Sequence, residues 1–194
     1  MRDSYDIMIV GIGGQGTILA SNIIGEACIL EGRTVRGAET HGMAQRGGSV
    51  ESHVRIDGKF GPLIAPGSAD LLIGFDLLEG LRYSHFLRPD GKIVLSDRLV
   101  IPTSVYVQGL AIPTPEELIK KFSRLNLTLI RAEEVAKEAG SILASNVVML
   151  GAASHQIPLD ESSLVHAVQR LVPKKTIEIN TRAFTLGRNV GPGC

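Results

Sequence analysis

The sequence predicts a three-layer α/β fold: a mostly parallel sheet with an inserted β-hairpin, followed by a helical C-terminal third. Three observations carry that expectation. A wholly apolar run, Ile7–Val10, leads through a glycine turn into the apolar-rich segment Thr17–Leu30, as a buried parallel strand followed by a helix would. Val50, Ser52, Val54 and Ile56 alternate with Glu51, His53 and Arg55, and Asp57-Gly58 follows, the pattern of a strand ending in a hairpin turn. From Ala132 onward the chain reads as successive helices.

Taken in order, the first strand gives way to Gly11-Ile12-Gly13-Gly14-Gln15-Gly16, and the helix Thr17–Leu30 stops at Gly32. Val35 centres a weak second strand. Residues 37–48, rich in glycine and polar side chains, read as a loop. The hairpin occupies 49–65, and Pro62 places its returning strand at an edge. Leu71–Phe75 is another buried strand and Asp76–His85 a helix; Pro89-Asp90-Gly91 turns the chain into a strand over Lys92–Ser96. Thr114-Pro115-Glu116-Glu117 starts a helix on three agreeing signals: a cap threonine, proline at the first position, and glutamate three after the cap. Leu118, Ile119, Phe122 and Leu125 fall on one face of it, and Thr128–Arg131 is the last short strand. Helices follow over Ala132–Ala139, Ser145–His155, Asp160–Leu171 (capped by Asp160, stopped by Pro173) and Thr176–Leu186. With no repeat, linker or low-complexity block, residues 1–194 are expected to form a single domain.

Twenty basic residues balance twenty acidic ones, so there is no basic field for nucleic acid or an anionic membrane. Neutrality also removes the mutual repulsion that keeps monomers apart, which suits a life inside a complex. The only cysteines are Cys28, in an apolar run, and Cys194, the last residue. They cannot supply a four-thiolate iron–sulfur or zinc site. The N-terminal apolar stretch is about ten residues and broken by glycines, too short for a membrane span and unlike a signal peptide. A cytoplasmic protein is expected.

Gly11, Gly13 and Gly16 match G-x-G-x-x-G between a strand and a helix, the Rossmann-like setting in which a backbone cradles a phosphate. Gly11, Gly13, Gly14, Gln15, Gly16 and Thr17 are therefore a candidate phosphate-binding or interface loop. Glycines there also serve tight strand-to-helix packing with no ligand. A dinucleotide enzyme needs an acid about twenty residues on to read the ribose. That neighbourhood is Arg33-Thr34-Val35-Arg36-Gly37, with no acid before Glu39. An NAD(P)-dependent oxidoreductase or other nucleotide binder is thus the alternative reading.

The segment Gly37–Gly48 gathers an acid, an imidazole, a thioether and a guanidinium between glycines. Glu39, His41, Met43, Arg46, Gly47 and Gly48 are expected to meet a partner; the competing view is a solvated loop with Glu39 and Arg46 paired. His41 and His53 find no third metal ligand at helical or hairpin spacing. Glu39 and His41 have no nucleophile or second carboxylate organised with them. No catalytic residue and no metal site is expected. Asn146 and Asn180 read as caps or buried hydrogen-bonding groups.

The opening Ile9-Val10-Gly11-Ile12-Gly13-Gly14-Gln15-Gly16, followed by Glu39…Arg46-Gly47-Gly48 and a strand, resembles the gamma subunit of 2-oxoacid:ferredoxin oxidoreductases. The form Glu39-Thr40-His41-Gly42-Met43-Ala44-Gln45-Arg46-Gly47-Gly48-Ser49-Val50 is most similar to the small subunit of the indolepyruvate type; pyruvate-type chains more often carry a tyrosine and proline in this loop. The resemblance extends to Asn180…Ala183-Phe184…Gly187. It implies a share in oxidative decarboxylation of an aryl-2-oxoacid to an acyl-coenzyme A, with electrons passing to ferredoxin. It also implies that thiamine diphosphate, Mg2+, iron–sulfur clusters and coenzyme A are held through a large partner subunit, none by this chain alone. Without that partner the chain is expected to self-associate. A third reading is a non-enzymatic scaffold whose relative has lost its partner.

Overall fold

The computed structural model describes residues 4–41, 48–109 and 111–191. Its centre is a six-stranded sheet in the order β2-β3-β1-β4-β5-β6. β1 (Tyr5–Ile12), β4 (Ala69–Gly74), β5 (Leu87–Ser96) and β6 (Asn126–Ile130) run parallel, while β3 (Ser49–Ile56) is antiparallel both to β1 and to β2 (Val35–His41). Ile7–Val10 of β1 and Leu71–Ile73 of β4 are apolar on both faces because helices cover both.

One face packs Ile7, Ile9, Val54, Leu71, Ile73 and Val94 against α1 (Thr17–Leu30) and four helices of the C-terminal third. These are α5 (Ala132–Ala139), α6 (Ser145–Ala153), α7 (Glu161–Leu171) and α8 (Ile177–Val190). The other face packs Met8, Val10, Leu72, Ile93 and Leu95 against α2 (Leu77–Tyr83) and α4 (Pro115–Lys120). A short helix α3 (Thr103–Val107), absent from the sequence expectation, lies between β5 and α4. The three-layer, mostly parallel α/β architecture with a helical C-terminal third is as the sequence predicts.

Local signals place several ends well. Thr114 caps α4 in a full capping box: its Oγ1 accepts from Glu117 N–H, and Glu117 Oε2 accepts from Thr114 N–H at 2.9 Å. Asp76, fully buried, caps α2 by accepting from Leu78 and Glu79 N–H, and its other oxygen accepts from Val100 N–H at 2.7 Å. Asn180 Nδ2 donates to Thr176 O within α8. α6 and α8 cross closely because Gly151 lies against Phe184 O and Gly187 against Val148 O, each 2.1 Å from where a Cβ would stand.

Two expectations need correction. Residues 37–41 are strand, the outer part of β2, and not loop. An edge strand exposed at Arg36, Gly37, Glu39 and Thr40 has no need of apolar alternation, so Gly37, Glu39 and Thr40 concealed it. The hairpin also lies on the other side of β3: its partner is β2, and no strand returns between 57 and 65. Asp57 does turn the chain, with a left-handed φ of 57°. Its carboxylate is then taken by Arg33, at 2.6 and 2.9 Å, which ties the end of β3 to the start of β2. The following segment crosses the outer face of β3, where Gly61 O accepts from Arg55 and Ile64 N–H donates to His53 Nδ1 at 3.1 Å.

Candidate functional site

The glycine loop closes on itself and on its own chain. Gln15 folds back so that its Oε1 accepts from Ile12 N–H at 2.7 Å. A Cβ on Gly11 would stand 2.6 Å from that oxygen. Gly16 enters α1 with a left-handed φ of 83°, and a Cβ there would lie 2.4 Å from Asn146 Nδ2. Thr17 is buried beneath. Gly11 and Gly16 of the G-x-G-x-x-G pattern thus meet needs of internal packing.

Open α/β sheets hold ligands in the crevice beyond the carboxyl ends of the strands, where the crossovers change face. Here that crevice is lined by Gln15, Phe75, Ser96, Arg98 and Asn146, and its cavity is about 10 Å³. That is about the space of one water-sized probe, far short of a nucleotide. Gln15 Nε2 is buried with no hydrogen-bond partner among the described residues.

The two glycine segments singled out by the sequence come together at this end of the sheet. Gly13 N–H donates to Gly48 O at 2.8 Å, so the loop after β1 abuts the entry to β3. Glu39, on β2, accepts from Ser21 Oγ of α1 at 3.0 Å. His41 is the last residue of β2. Met43, Arg46 and Gly47 lie outside the described residues, and so does a Glu39–Arg46 pair.

A polar cluster that sequence reasoning missed lies beside the same entry. Ser49 Oγ donates to Glu79 Oε2 at 2.5 Å and is 3.1 Å from Tyr83 Oη. Glu79 is 3% exposed and also meets Arg82 at 3.3 Å. Burial raises the Tyr83 phenol, while its hydrogen bond to Ser49 works the other way. The only signal was spacing: Glu79 and Tyr83 stand four apart on a short helix and so share a face. His53 completes the cluster, edge-on to Phe86 at 5.9 Å, with Nε2 3.8 Å from Glu51 Oε1. Burial pushes the imidazole below its ordinary value, and Arg55 adds to the shift against the pull of Glu51. Its Nδ1 is already used as an acceptor for Ile64.

Among the described residues, no three His, Cys, Asp or Glu side chains converge as a metal site would require. Cys28 is fully buried in the core, where desolvation pushes its thiol up to about 12. A thiol so held is a packing group rather than a ligand. Cys194 lies outside the described residues, and two cysteines could not complete a four-thiolate cluster. No helix among the described residues is long and apolar enough to cross a membrane.

A family model for pyruvate ferredoxin/flavodoxin oxidoreductase matches residues 6–190. The chain is 39% identical over 188 residues to indolepyruvate oxidoreductase subunit IorB of Archaeoglobus fulgidus, covering 95% of this chain and 94% of that protein. The corresponding IorB of Thermococcus kodakarensis is 38% identical, with 94% of each chain covered. A 2-oxoglutarate synthase subunit KorC of Methanothermobacter marburgensis is 28% identical over 95% of each chain. Among solved structures, the gamma subunit of a keto/oxoacid ferredoxin oxidoreductase from Geobacter sulfurreducens superposes with a TM-score of 0.72 at 26% identity, covering 98% of this chain and 99% of that one. Matched along almost its whole length, the chain belongs to the pyruvate ferredoxin/flavodoxin oxidoreductase family, as one of its small, gamma-type subunits.

Proposed function

We propose that the chain is the small subunit of a thiamine-diphosphate-dependent 2-oxoacid:ferredoxin oxidoreductase that acts on indolepyruvate or a related aryl-pyruvate and releases an acyl-coenzyme A. The observation that carries the substrate class is the full-length similarity to proteins named as indolepyruvate oxidoreductase subunits, at 38–39% identity against 28% for a 2-oxoglutarate subunit. In this reading a large partner subunit holds thiamine diphosphate, Mg2+, the iron–sulfur clusters and the coenzyme A site, and ferredoxin docks through the holoenzyme. The small subunit adds no catalytic group; it shapes the interface and the approach to the active centre in the cytoplasm.

Three features of the chain support that division. Its cysteines fit no cluster. The closed crevice at the glycine loop favours an interface role for Gly11–Thr17 over a bound nucleotide. Phe60 and Leu63, 80% and 65% exposed, offer apolar surface for a partner to cover. Glu39, His41, Met43, Arg46, Gly47 and Gly48 are the residues we assign to the interface. Free of its partner, the chain is expected to self-associate through such surface.

The test is co-expression with the large subunit followed by ferredoxin-coupled turnover. The expected result is a stable hetero-oligomer that turns over indolepyruvate well ahead of pyruvate and 2-oxoglutarate. Preference for either of those two overturns the substrate assignment; absence of any complex overturns the subunit role.

A further inference from the structure

A groove of about 640 Å³ runs between α1 and β2, walled by Ser21, Gly25, Ile29, Gly37, Glu39 and Leu171 among others. Among the described residues β2 ends the sheet and has a strand neighbour on one side only. Its outer edge therefore presents a template for another strand.

Two glycines open this groove although their own fold does not require them. Gly25 sits within α1, where glycine is less favourable than alanine. A Cβ built on it meets nothing within 4 Å. Gly37 sits within β2, where the nearest atom to such a Cβ is His53 O at 3.7 Å, an ordinary contact. Neither has a left-handed φ. Glycine on both walls of one groove, with open space before Gly25 and no close contact before Gly37, leaves room for a backbone to come close from outside.

The side chains say what kind of backbone. Ile29 is 63% exposed and Leu171 39%, so one stretch of the wall is apolar. Glu26 is paired with Arg170 at 2.8 Å, whereas Glu39 is held only by the Ser21 hydroxyl and meets no cation among the described residues. We propose that the groove receives an extended segment of the large partner subunit, added to β2 as a further strand with a lysine or arginine set against Glu39. This rests on the subunit role proposed above and names the surface that serves it.

A second copy of this chain fits the groove less well. Two β2 strands paired antiparallel over their full length centre on Ala38, with Glu39 of each opposite Gly37 of the other. Both carboxylates then occupy one face as diagonal neighbours, and like charges so placed repel.

The test compares the wild-type chain with Gly25→Leu/Gly37→Val and with Glu39→Lys, each alone and reconstituted with the large subunit. Three quantities are measured: melting temperature of the free small subunit, affinity for the large subunit, and hydrogen exchange of the β2 amides. The glycine variant should melt no lower than wild type, because a Cβ at either position meets no close contact and glycine is unfavourable inside a helix or strand. Both variants should bind the large subunit about tenfold or more weakly. The β2 amides of wild type should slow only in the complex. Variants that assemble as tightly as wild type, or β2 amides that exchange alike with and without the partner, overturn the proposal. So does protection of β2 in the free chain that grows with its concentration, which assigns the groove to a second copy. If wild type itself binds no large subunit, the subunit role fails and this inference with it; if wild type binds and the variants bind equally, this inference alone fails.

Discussion

Gly16 and Asn146 meet where the loop after β1 touches α6: a Cβ on the glycine would lie 2.4 Å from the amide nitrogen and 3.2 Å from the asparagine's own Cβ. The left-handed φ of Gly16 adds a second demand for glycine. Gly16→Ala should cost about 1–2 kcal/mol from the backbone alone, and more from the clash. Adding Asn146→Ala should return part of the clash and none of the backbone cost. A double-mutant cycle by urea denaturation separates the two. If Gly16→Ala leaves stability unchanged, the loop is not packed as described and a ligand role regains ground.

The Asp6–Arg55 pair is a second internal constraint. The side chains face each other across β1 and β3, with Nε to Oδ1 at 2.8 Å and Nη2 to Oδ2 at 3.0 Å. Both are buried, and the hydrogen bond to Asp6 holds the guanidinium charged. Removing one partner strands the other's charge in the interior, so Arg55→Leu should destabilise by about 3–5 kcal/mol. Replacing both with apolar residues should cost much less. Chemical denaturation of the three variants checks this; equal losses for single and double variants would show that packing, rather than the charge, sets the cost.

How much of this was legible in the sequence follows from how local each signal is. The strand–glycine–helix start, the Thr114 capping box and the four C-terminal helices depend on residues a few positions apart, and they were read correctly. The partner of β3 was not, because Asp57-Gly58 looks like a hairpin turn locally. The pairing is instead with β2, along a full ladder whose end is tied by the Arg33 guanidinium on the Asp57 carboxylate, contacts distant in sequence. The glycine loop is a similar case: nothing near Gly16 announces that Asn146 fills the space beside it. The sequence offers Gly48 and the glycine loop only as two motifs of one resemblance; that they meet, Gly13 N–H on Gly48 O, is visible only in the structure.

His53 should make stability depend on pH. Burial lowers its folded-state value below the ordinary imidazole range, with Arg55 acting in the same sense and Glu51 opposing. The unfolded chain therefore binds a proton more readily than the folded one below about pH 6.5. Stability from this group is full above that pH and is lost as pH falls toward the folded value. His53→Asn keeps an acceptor for Ile64 N–H and removes the titration. Denaturation midpoints from pH 7.5 down to about 5 should fall less steeply for the variant than for wild type. Parallel slopes would show that His53 does not change its proton affinity on folding.

Arg46 is where the interface reading is most exposed to test. It lies outside the described residues, but its segment is anchored on both sides: β2 ends at His41, and Gly48 is bonded to the glycine loop. Gly48, beside the Ser49–Glu79 cluster, marks the end of the sheet we assign to the partner. Arginine offers a rigid fork of donors suited to a carboxylate or phosphate across an interface. On the interface reading, Arg46→Ala should leave the lone subunit within about 0.5 kcal/mol of wild type, the usual effect of a substitution that touches no internal contact. In the complex, loss of a desolvated charge partner should cost about 2–5 kcal/mol of association or of transition-state positioning. Melting of the free subunit and ferredoxin-coupled turnover of the reconstituted enzyme, measured side by side, separate the outcomes. Unchanged assembly and turnover would make the segment a solvated surface. Unfolding of the lone subunit would make Arg46 a structural residue, held by its own chain.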